Sequence, residues 1–292
     1  MTDEKLTPLT AVQEYIANYF DDCGIENGAN LSRYIISEVL GMSYAKALLK
    51  KPMLKLWECD KIDDACNRVA QGEPVQYVFG TAPFRYLELE VTPDVLIPRP
   101  ETEMMVDIVA YYLKKNNIEW PLLADIGTGS GALAVSFATE FDESIVYATD
   151  VSKKALVVAM RNAKRYDQLE NIYFEQCSCL DNFEYFQHSR NHFNAIVSNP
   201  PYVPTDVCKK LPREVRDHEP MLALDGGQDG LDVYREILKS TRGMLEPGGL
   251  YLFELHETCL DLAKRIAIEA GLKDVSIIKD LAGKDRFLAA ID

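Results

Sequence analysis

Beyond residue 120, apolar runs of three to six residues alternate with stretches of helical period, and this alternation constrains the chain more than any other feature. The strand-like runs are 122–126, 145–149, 172–174, 195–197, 250–255, 275–278 and 287–291; helices are expected at about 131–140, 153–166, 229–244 and 257–270. Strand, helix, strand order demands crossover connections. The expectation is an α/β fold with a seven-stranded, mostly parallel sheet covered on both faces, its ligand-binding loops at the carboxyl ends of the strands. The loops after Ile126, Thr149 and Val197 are therefore where chemistry is expected.

Residues 1–78 read differently, as helices only. Thr10 and Gln13 have the spacing of a capping box, and Val12, Tyr15, Ile16, Tyr19 and Phe20 then line one helical face. Further helical pieces at 31–40, 44–49, 53–57 and 62–70 are separated by Gly24, Gly28, Gly41 and Pro52, as in a small bundle of short helices. Over 79–100 the period changes to two: Leu87, Leu89 and Val91 alternate with Glu88 and Glu90, and Pro93, Pro98 and Pro100 follow. A β-hairpin linker is expected there, then a helix over 101–115 with acidic residues in its first turn. The domain expectation is thus a helical domain at 1–78, a linker at 79–100 and an α/β domain at 101–292.

The net charge of −15 in 292 residues repels a phosphate backbone, and residues 1–80 carry eight basic against twelve acidic side chains, so neither the whole chain nor its helical part reads as a nucleic-acid arm. No apolar run approaches the ~18 residues of a membrane span, and the first residues lack the basic and apolar regions of a secretory signal, so a cytoplasmic protein with no membrane partner is expected. Seven cysteines, an odd number in a chain of this length, read as reduced thiols. Cys177 and Cys179 lack a second pair to complete a metal site, and the His188 and His192 stretch reads as a solvated loop, so no metal is expected.

Two loops carry most of the signal. Asp125-Ile-Gly-Thr-Gly-Ser-Gly131 lets the backbone turn sharply against a ligand at a helix start, a pattern that suits a nicotinamide dinucleotide and S-adenosylmethionine equally. Asp150, at the end of the second strand, stands where a carboxylate accepts hydrogen bonds from ribose hydroxyls, or else caps the next helix. After the fourth strand comes Ser198-Asn-Pro-Pro-Tyr-Val203. Its prolines lack N–H donors and stiffen the turn, so its free polar groups are acceptors suited to an NH₂ group: Asn199 Oδ1 and the Pro200 carbonyl take one N–H each and Tyr202 packs against the face.

Asn-Pro-Pro-Tyr at this place resembles the amino-group methyltransferases. Together with Gly72-Glu-Pro-Val-Gln-Tyr77, Val95-Leu-Ile-Pro-Arg-Pro-Glu-Thr-Glu103, the glycine loop, Glu219-Pro-Met-Leu-Ala-Leu224 and Asp229-Gly-Leu-Asp232, the chain resembles the release-factor glutamine methyltransferase (PrmC/HemK) family from about residue 68 onward. The resemblance implies a Rossmann-like methyltransferase domain that uses S-adenosylmethionine and releases S-adenosylhomocysteine. Its substrate would be the glutamine amide in the Gly-Gly-Gln motif of class I peptide-chain release factors. It also implies that Gly127, Thr128, Gly129, Ser130 and Gly131 cradle the methionine part of the cofactor and that Asp150 holds the ribose. Asn199, Pro200, Pro201 and Tyr202 would hold the glutamine, with Asn199, Pro200 and Tyr202 as the catalytic set and Asn199 also touching the cofactor. Arg99, Glu101 and Glu103 are candidates for shaping the site, with Arg99 and Glu101 alternatively a surface pair at the helix start. The chain departs from the family at Ser178 or Cys179, where an acidic residue usually meets the adenine, and at His256-Glu257-Thr258.

The alternatives are an amino methyltransferase acting on adenine N6 or guanine N2 of nucleic acid, a non-catalytic adaptor, and a dehydrogenase. Residues 201–220 carry four basic and four acidic side chains, a poor phosphate track; an adaptor has no need of the intact glycine loop; and a dehydrogenase has no use for the Asn-Pro-Pro-Tyr turn.

Overall fold

The protein is described here by a computed structural model covering residues 6–180 and 192–292; the loop expected around His188 lies outside the described residues. The chain divides into two compact units, one running to Gly80 and taking in Arg213–His218, the other comprising Thr81–Pro212 and Glu219–Asp292.

The first unit packs helices α1 (Leu9–Asp22), α2 (Gly28–Leu40), α3 (Tyr44–Lys50), α4 (Leu56–Ala70) and α5 (Val75–Phe79) around Ile16, Phe20, Ile35, Ile36 and Ile62. Of the expected α1 face, Val12, Ile16 and Phe20 are buried, and Tyr15 stays exposed. Two local expectations fail for one reason. Thr7–Pro8 (β1) is extended and pairs antiparallel with Met53–Leu54 (β2), so α1 starts only at Leu9, after Pro8, with no side-chain cap. Thr10 falls inside the first turn instead of capping it, and Gln13 Nε2 donates to Tyr44 Oη at 2.6 Å. The same pairing makes 53–54 a strand residue pair, not helix, and α4 begins at Leu56.

In the second unit, strands β3 (Thr81–Phe84) and β4 (Leu87–Glu90) form the hairpin, with Leu87 and Leu89 buried as the alternation requires. Arg85 at its tip has φ 52° and is held by Glu140 through two bonds of 2.6 and 2.7 Å. After a single 3₁₀ turn at Pro100–Thr102 comes α6 (Glu103–Lys115). Then β5 (Leu122–Ile126), α7 (Ala132–Glu140), β6 (Ile145–Asp150), α8 (Lys153–Arg165), β7 (Ile172–Gln176) and β8 (Phe193–Ser198) alternate. The last segments are helix Asp232–Ser240, β9 (Leu245–Glu254), helix Leu260–Glu269, β10 (Lys273–Lys279) and β11 (Asp285–Ile291).

The seven strands lie in the order β10-β11-β9-β8-β5-β6-β7, with β5 to β9 mutually parallel and β11 antiparallel to both its neighbours. The mostly parallel α/β sheet expected from the alternation is present, with one boundary shift: β9 starts at Leu245, where it pairs with Phe193, five residues before the apolar run. Helix α7 is buried nearly all round, as a crossover trapped against a sheet face must be. Two clusters form the core, one centred on Phe137, Val109 and Val197, the other on Tyr234, Phe253 and Ile196. Among the described residues no helix is long and apolar enough to cross a membrane.

Candidate active site

Strand order reverses at β5, whose neighbours are β6 on one side and β8 on the other, and a ligand crevice is expected outside the carboxyl ends at such a point. A cavity of about 330 Å³ lies there, lined by the glycine loop, Asp150, Ser178 and the Asn199-Pro200-Pro201 turn. That volume suits a single small ligand.

The glycine loop is anchored at both ends. Gly127 and Thr128 donate their N–H groups to the Thr149 carbonyl, and Gly129 N–H donates to Asp150 Oδ2 at 2.9 Å. Asp125, fully buried, accepts from Thr128 Oγ1 at 2.6 Å and from the Ala134 N–H at 3.1 Å, and burial pushes its carboxyl up to about 7. Asn162 Nδ2 donates to the carbonyls of Ser130 and Glu90, so α8 ties the loop to the hairpin. Gly127, Thr128, Gly129 and Ser130 all line the cavity. Gly131 does not: a Cβ there meets Ala159 Cβ at 3.1 Å and its Cα at 3.2 Å, so this glycine lets α7 and α8 approach.

Asp150 lines the cavity and also accepts the Ser152 N–H through Oδ1 at 2.8 Å. The helix cap itself is Ser152, whose hydroxyl accepts from Ala155 N–H. Burial raises the Asp150 carboxyl above the usual carboxylate range, opposed by the Ser152 and Gly129 N–H bonds.

At the end of β8, Ser198 Oγ donates to the Ile126 carbonyl at 2.7 Å, joining the ends of β8 and β5. Asn199, Pro200 and Pro201 line the cavity. Asn199 Nδ2 donates to Thr102 Oγ1 at 3.3 Å, which among the described residues leaves Oδ1 as the uncommitted acceptor. Tyr202 is not a lining residue; it packs into the second core cluster with its ring centroid 6.4 Å from that of His256, and desolvation pushes its phenol up. His256 Nδ1 lies 2.8 Å from Thr258 Oγ1 and the His256 carbonyl accepts from Cys259 N–H, which closes the turn where the chain departs from the family pattern.

The turn is backed by Gly226 and Gly230. A Cβ on Gly226 lies 2.6 Å from the Pro201 carbonyl and 2.8 Å from Tyr202 Cα, both backbone atoms that cannot swing aside. Gly226→Ala is therefore expected to cost about 1–3 kcal/mol of stability by overpacking and to lower turnover by displacing the turn. Chemical denaturation beside steady-state assay checks both effects.

Pairings that sequence reading did not foresee complete the wall, two of them through Thr102 and Glu236, which it did not single out. Arg99 does not pair with Glu101: its Nη2 sits 2.7 Å from both carboxylate oxygens of the buried Glu219, joining two of the sequence motifs. Thr102, between Glu101 and Glu103, lines the cavity while its two neighbours do not. At the position lacking an acidic residue, Ser178 Oγ donates to Glu236 Oε1 at 2.6 Å, so a carboxylate reaches that wall from the helix Asp232–Ser240 instead. Among the described residues the lining holds Asp94, Asp125, Asp150 and Glu236 against one cation, Arg99; Glu219 engages Arg99, and Lys154 engages Asp94. Such a field favours a cationic ligand over the pyrophosphate of a dinucleotide.

The sequence matches the methyltransferase small domain over residues 107–211 and the PrmC N-terminal domain over residues 11–80. It is 41% identical over 243 residues to the release factor glutamine methyltransferase of Thermosynechococcus vestitus, covering 83% of this chain and 80% of that one. To the release factor glutamine methyltransferase of Geobacter sulfurreducens it is 34% identical over 293 residues, 98% of each chain. Among solved structures, a methyltransferase from Pyrococcus furiosus superposes with a TM-score of 0.51 at 20% identity, over 78% of this chain and 98% of that one, a likeness of fold.

Proposed function

Because this chain belongs to the release factor glutamine methyltransferase family, we propose that it transfers the methyl group of S-adenosylmethionine to the side-chain amide nitrogen of the glutamine in the Gly-Gly-Gln motif of class I peptide-chain release factors. The observation that carries this reading is the Asn199-Pro200-Pro201 turn opening into the same cavity as the glycine loop, with Asn199 Nδ2 held by Thr102 and Oδ1 left to accept.

S-adenosylmethionine, when bound, supplies a sulfonium methyl as electrophile, and its sulfonium and ammonium against one carboxylate leave it a net cation. The cavity fits it: its carboxylates outnumber its cations, and its volume and position suit a nucleoside-sized ligand. Gly127 to Ser130 would border the methionine part, with Gly131 supporting them through α7, and Asp150 would accept from the ribose hydroxyls through lone pairs not spent on Gly129 and Ser152.

Glutamine's amide nitrogen is a poor nucleophile because its lone pair is delocalised into the carbonyl. Asn199 Oδ1 and the Pro200 carbonyl would accept its two N–H bonds, fixing the nitrogen and aiming its lone pair along the transfer line. Acceptors that favour a pyramidal nitrogen bind the transition state better than the flat ground state. As the N–C bond forms, the nitrogen becomes cationic, and one N–H proton then leaves to solvent, which requires no dedicated base. Tyr202 packs behind the turn, where its phenol stays neutral and adds no charge.

The first unit would carry substrate docking. It holds none of the cavity residues, and a glutamine on a Gly-Gly loop offers little surface by itself. Its segment around Leu49–Trp57 exposes Leu49, Met53, Leu56 and Trp57 among Lys50, Lys51 and Lys55, an apolar and basic patch on an acidic protein. Trp57→Ala is expected to raise KM for an intact release factor about 5- to 30-fold, the range of an interface anchor, while kcat/KM for a short Gly-Gly-Gln peptide stays unchanged. Equal losses on both substrates contradict a docking role.

Methyl transfer itself is tested by incubating the protein with labelled S-adenosylmethionine and a class I release factor, and separately with ribosomal RNA and adenine-containing DNA. Label is expected on the release factor alone.

A further inference from the structure

An asparagine side chain presents an acceptor on one side and two donors on the other, and half a turn about χ2 exchanges them. Only one of these orientations receives an N–H bond from an incoming amide, so whatever fixes Asn199 decides whether the turn works. Three elements meet at this point: Asn199 follows β8, Thr102 closes the 3₁₀ turn before α6, and Glu254 ends β9. Thr102 is 5% exposed and Glu254 1%. Thr102 Oγ1 donates to Glu254 Oε2 at 2.6 Å. A hydroxyl has one proton, and with that proton committed to a carboxylate, Oγ1 can meet Asn199 only as an acceptor. The 3.3 Å contact from Asn199 Nδ2 is in that sense.

We propose that Thr102 and Glu254 are positioning residues for glutamine methylation: Glu254 accepts the hydrogen bond of the Thr102 hydroxyl, the polarity this imposes on the hydroxyl locks Nδ2 of Asn199 inward, and Oδ1 is thereby held as the acceptor for the substrate amide. The proposal rests on the reading of Asn199 as the glutamine acceptor. Its geometric support is a carboxylate buried at the end of a central strand which, among the described residues, makes no ion pair within 4.0 Å and spends its one hydrogen bond on Thr102. Packing alone is served better by an apolar side chain, because a buried charge is retained against a desolvation penalty.

A pH dependence follows. The groups facing Glu254 are Arg286 on β11, Arg99 and Glu101 on the segment before α6, and Tyr202 on the turn. Burial pushes the Glu254 carboxyl up to about 7, opposed by the Thr102 hydrogen bond and Arg286. Above that value the carboxylate accepts from Thr102. Below it the carboxylic acid can itself donate to Oγ1, which frees the Thr102 proton to turn toward Asn199 and lets the amide flip. Turnover therefore falls as pH falls through about 7. Asp125 titrates in the same range, but it holds the glycine loop and its protonation is read in cofactor affinity, so the profile is taken at saturating cofactor.

The test uses the full chain, saturating S-adenosylmethionine and a purified class I release factor. Thr102→Val is expected to lower kcat about 10- to 100-fold, the range seen when a supporting partner of a site residue is removed, with cofactor affinity by calorimetry unchanged. Thr102→Ser, which keeps the hydroxyl, is expected to retain most of the turnover, and Glu254→Gln to lose the acid limb of the kcat profile. Wild-type kcat in Thr102→Val, equal losses in the valine and serine variants, or an acid limb that survives in Glu254→Gln each overturn the proposal. Should Thr102→Val not fold, the serine and glutamine variants decide. A wild-type protein that methylates no glutamine sinks the parent reading instead. The positioning claim is then decided by NMR, where the Asn199 side-chain NH₂ is expected to be protected from exchange in wild type and Thr102→Ser, and unprotected protons in wild type overturn it.

Discussion

Replacing Asn199 with alanine is expected to lower kcat for glutamine methylation about 10²–10³-fold, by analogy with loss of one preorganised hydrogen-bonding group from an oxyanion hole, while cofactor affinity changes little. The amide acts on the incoming nitrogen, and its Nδ2 is engaged by Thr102 and not by the glycine loop. The backbone of the turn survives the change, since the Ser198 bond to Ile126 and the Val203 pairing with Leu224 and Gly226 do not involve the Asn199 side chain. Single-turnover rates with saturating cofactor give the kcat effect free of product release. Wild-type turnover in this variant removes Asn199 from the catalytic set.

The second large effect is on cofactor binding. Asp150→Ala is expected to weaken S-adenosylmethionine by roughly 1.5–3 kcal/mol, about 10- to 150-fold, as the loss of a charged acceptor. Two contributions combine here, because the same carboxylate accepts the Gly129 and Ser152 N–H groups and so holds the loop as well as facing the cavity. Asp150→Asn separates them: its carbonyl oxygen still accepts one N–H, so the loop is partly held while the charge is gone, and an intermediate affinity is expected. Calorimetric titration of all three proteins makes the comparison. Wild-type affinity in Asp150→Asn with a loss only in Asp150→Ala would confine Asp150 to a loop-holding role, equal affinities in all three would remove it from cofactor binding, and tight binding of NADH by the wild type would contradict the cofactor assignment.

What was legible in the sequence was local. The parallel sheet followed from apolar runs separated by helical stretches, because a βαβ connection leaves few other arrangements, and the loops after Ile126, Thr149 and Val197 were located by the same reasoning. The Asn-Pro-Pro-Tyr turn showed its acceptor character through its prolines alone. What was misread or missed depends on partners distant along the chain. Thr10 and Gln13 satisfy the capping pattern, yet pairing of Thr7–Pro8 with Met53–Leu54 moves the helix start past them. Arg99 finds Glu219, 120 residues away, in preference to Glu101 next door. Thr102 and Glu254 are 152 residues apart, and the Ser178 bond to Glu236 spans 58. No spacing rule connects such residues. Gly131 and Tyr202 were legible as parts of motifs but not in their surroundings: one admits Ala159, the other packs behind the turn.

The central claim is that the acceptor turn and the glycine loop share one cavity in order to methylate a protein amide. The most direct measurement incubates the wild-type protein with methyl-labelled S-adenosylmethionine and a class I release factor, digests the product and fragments the peptide containing Gly-Gly-Gln. One added methyl group on the glutamine side-chain nitrogen, absent in the Asn199→Ala reaction, is the expected result. Label on the adenine or guanine amino groups of nucleic acid with none on the release factor, or label on another residue of that peptide, contradicts the account.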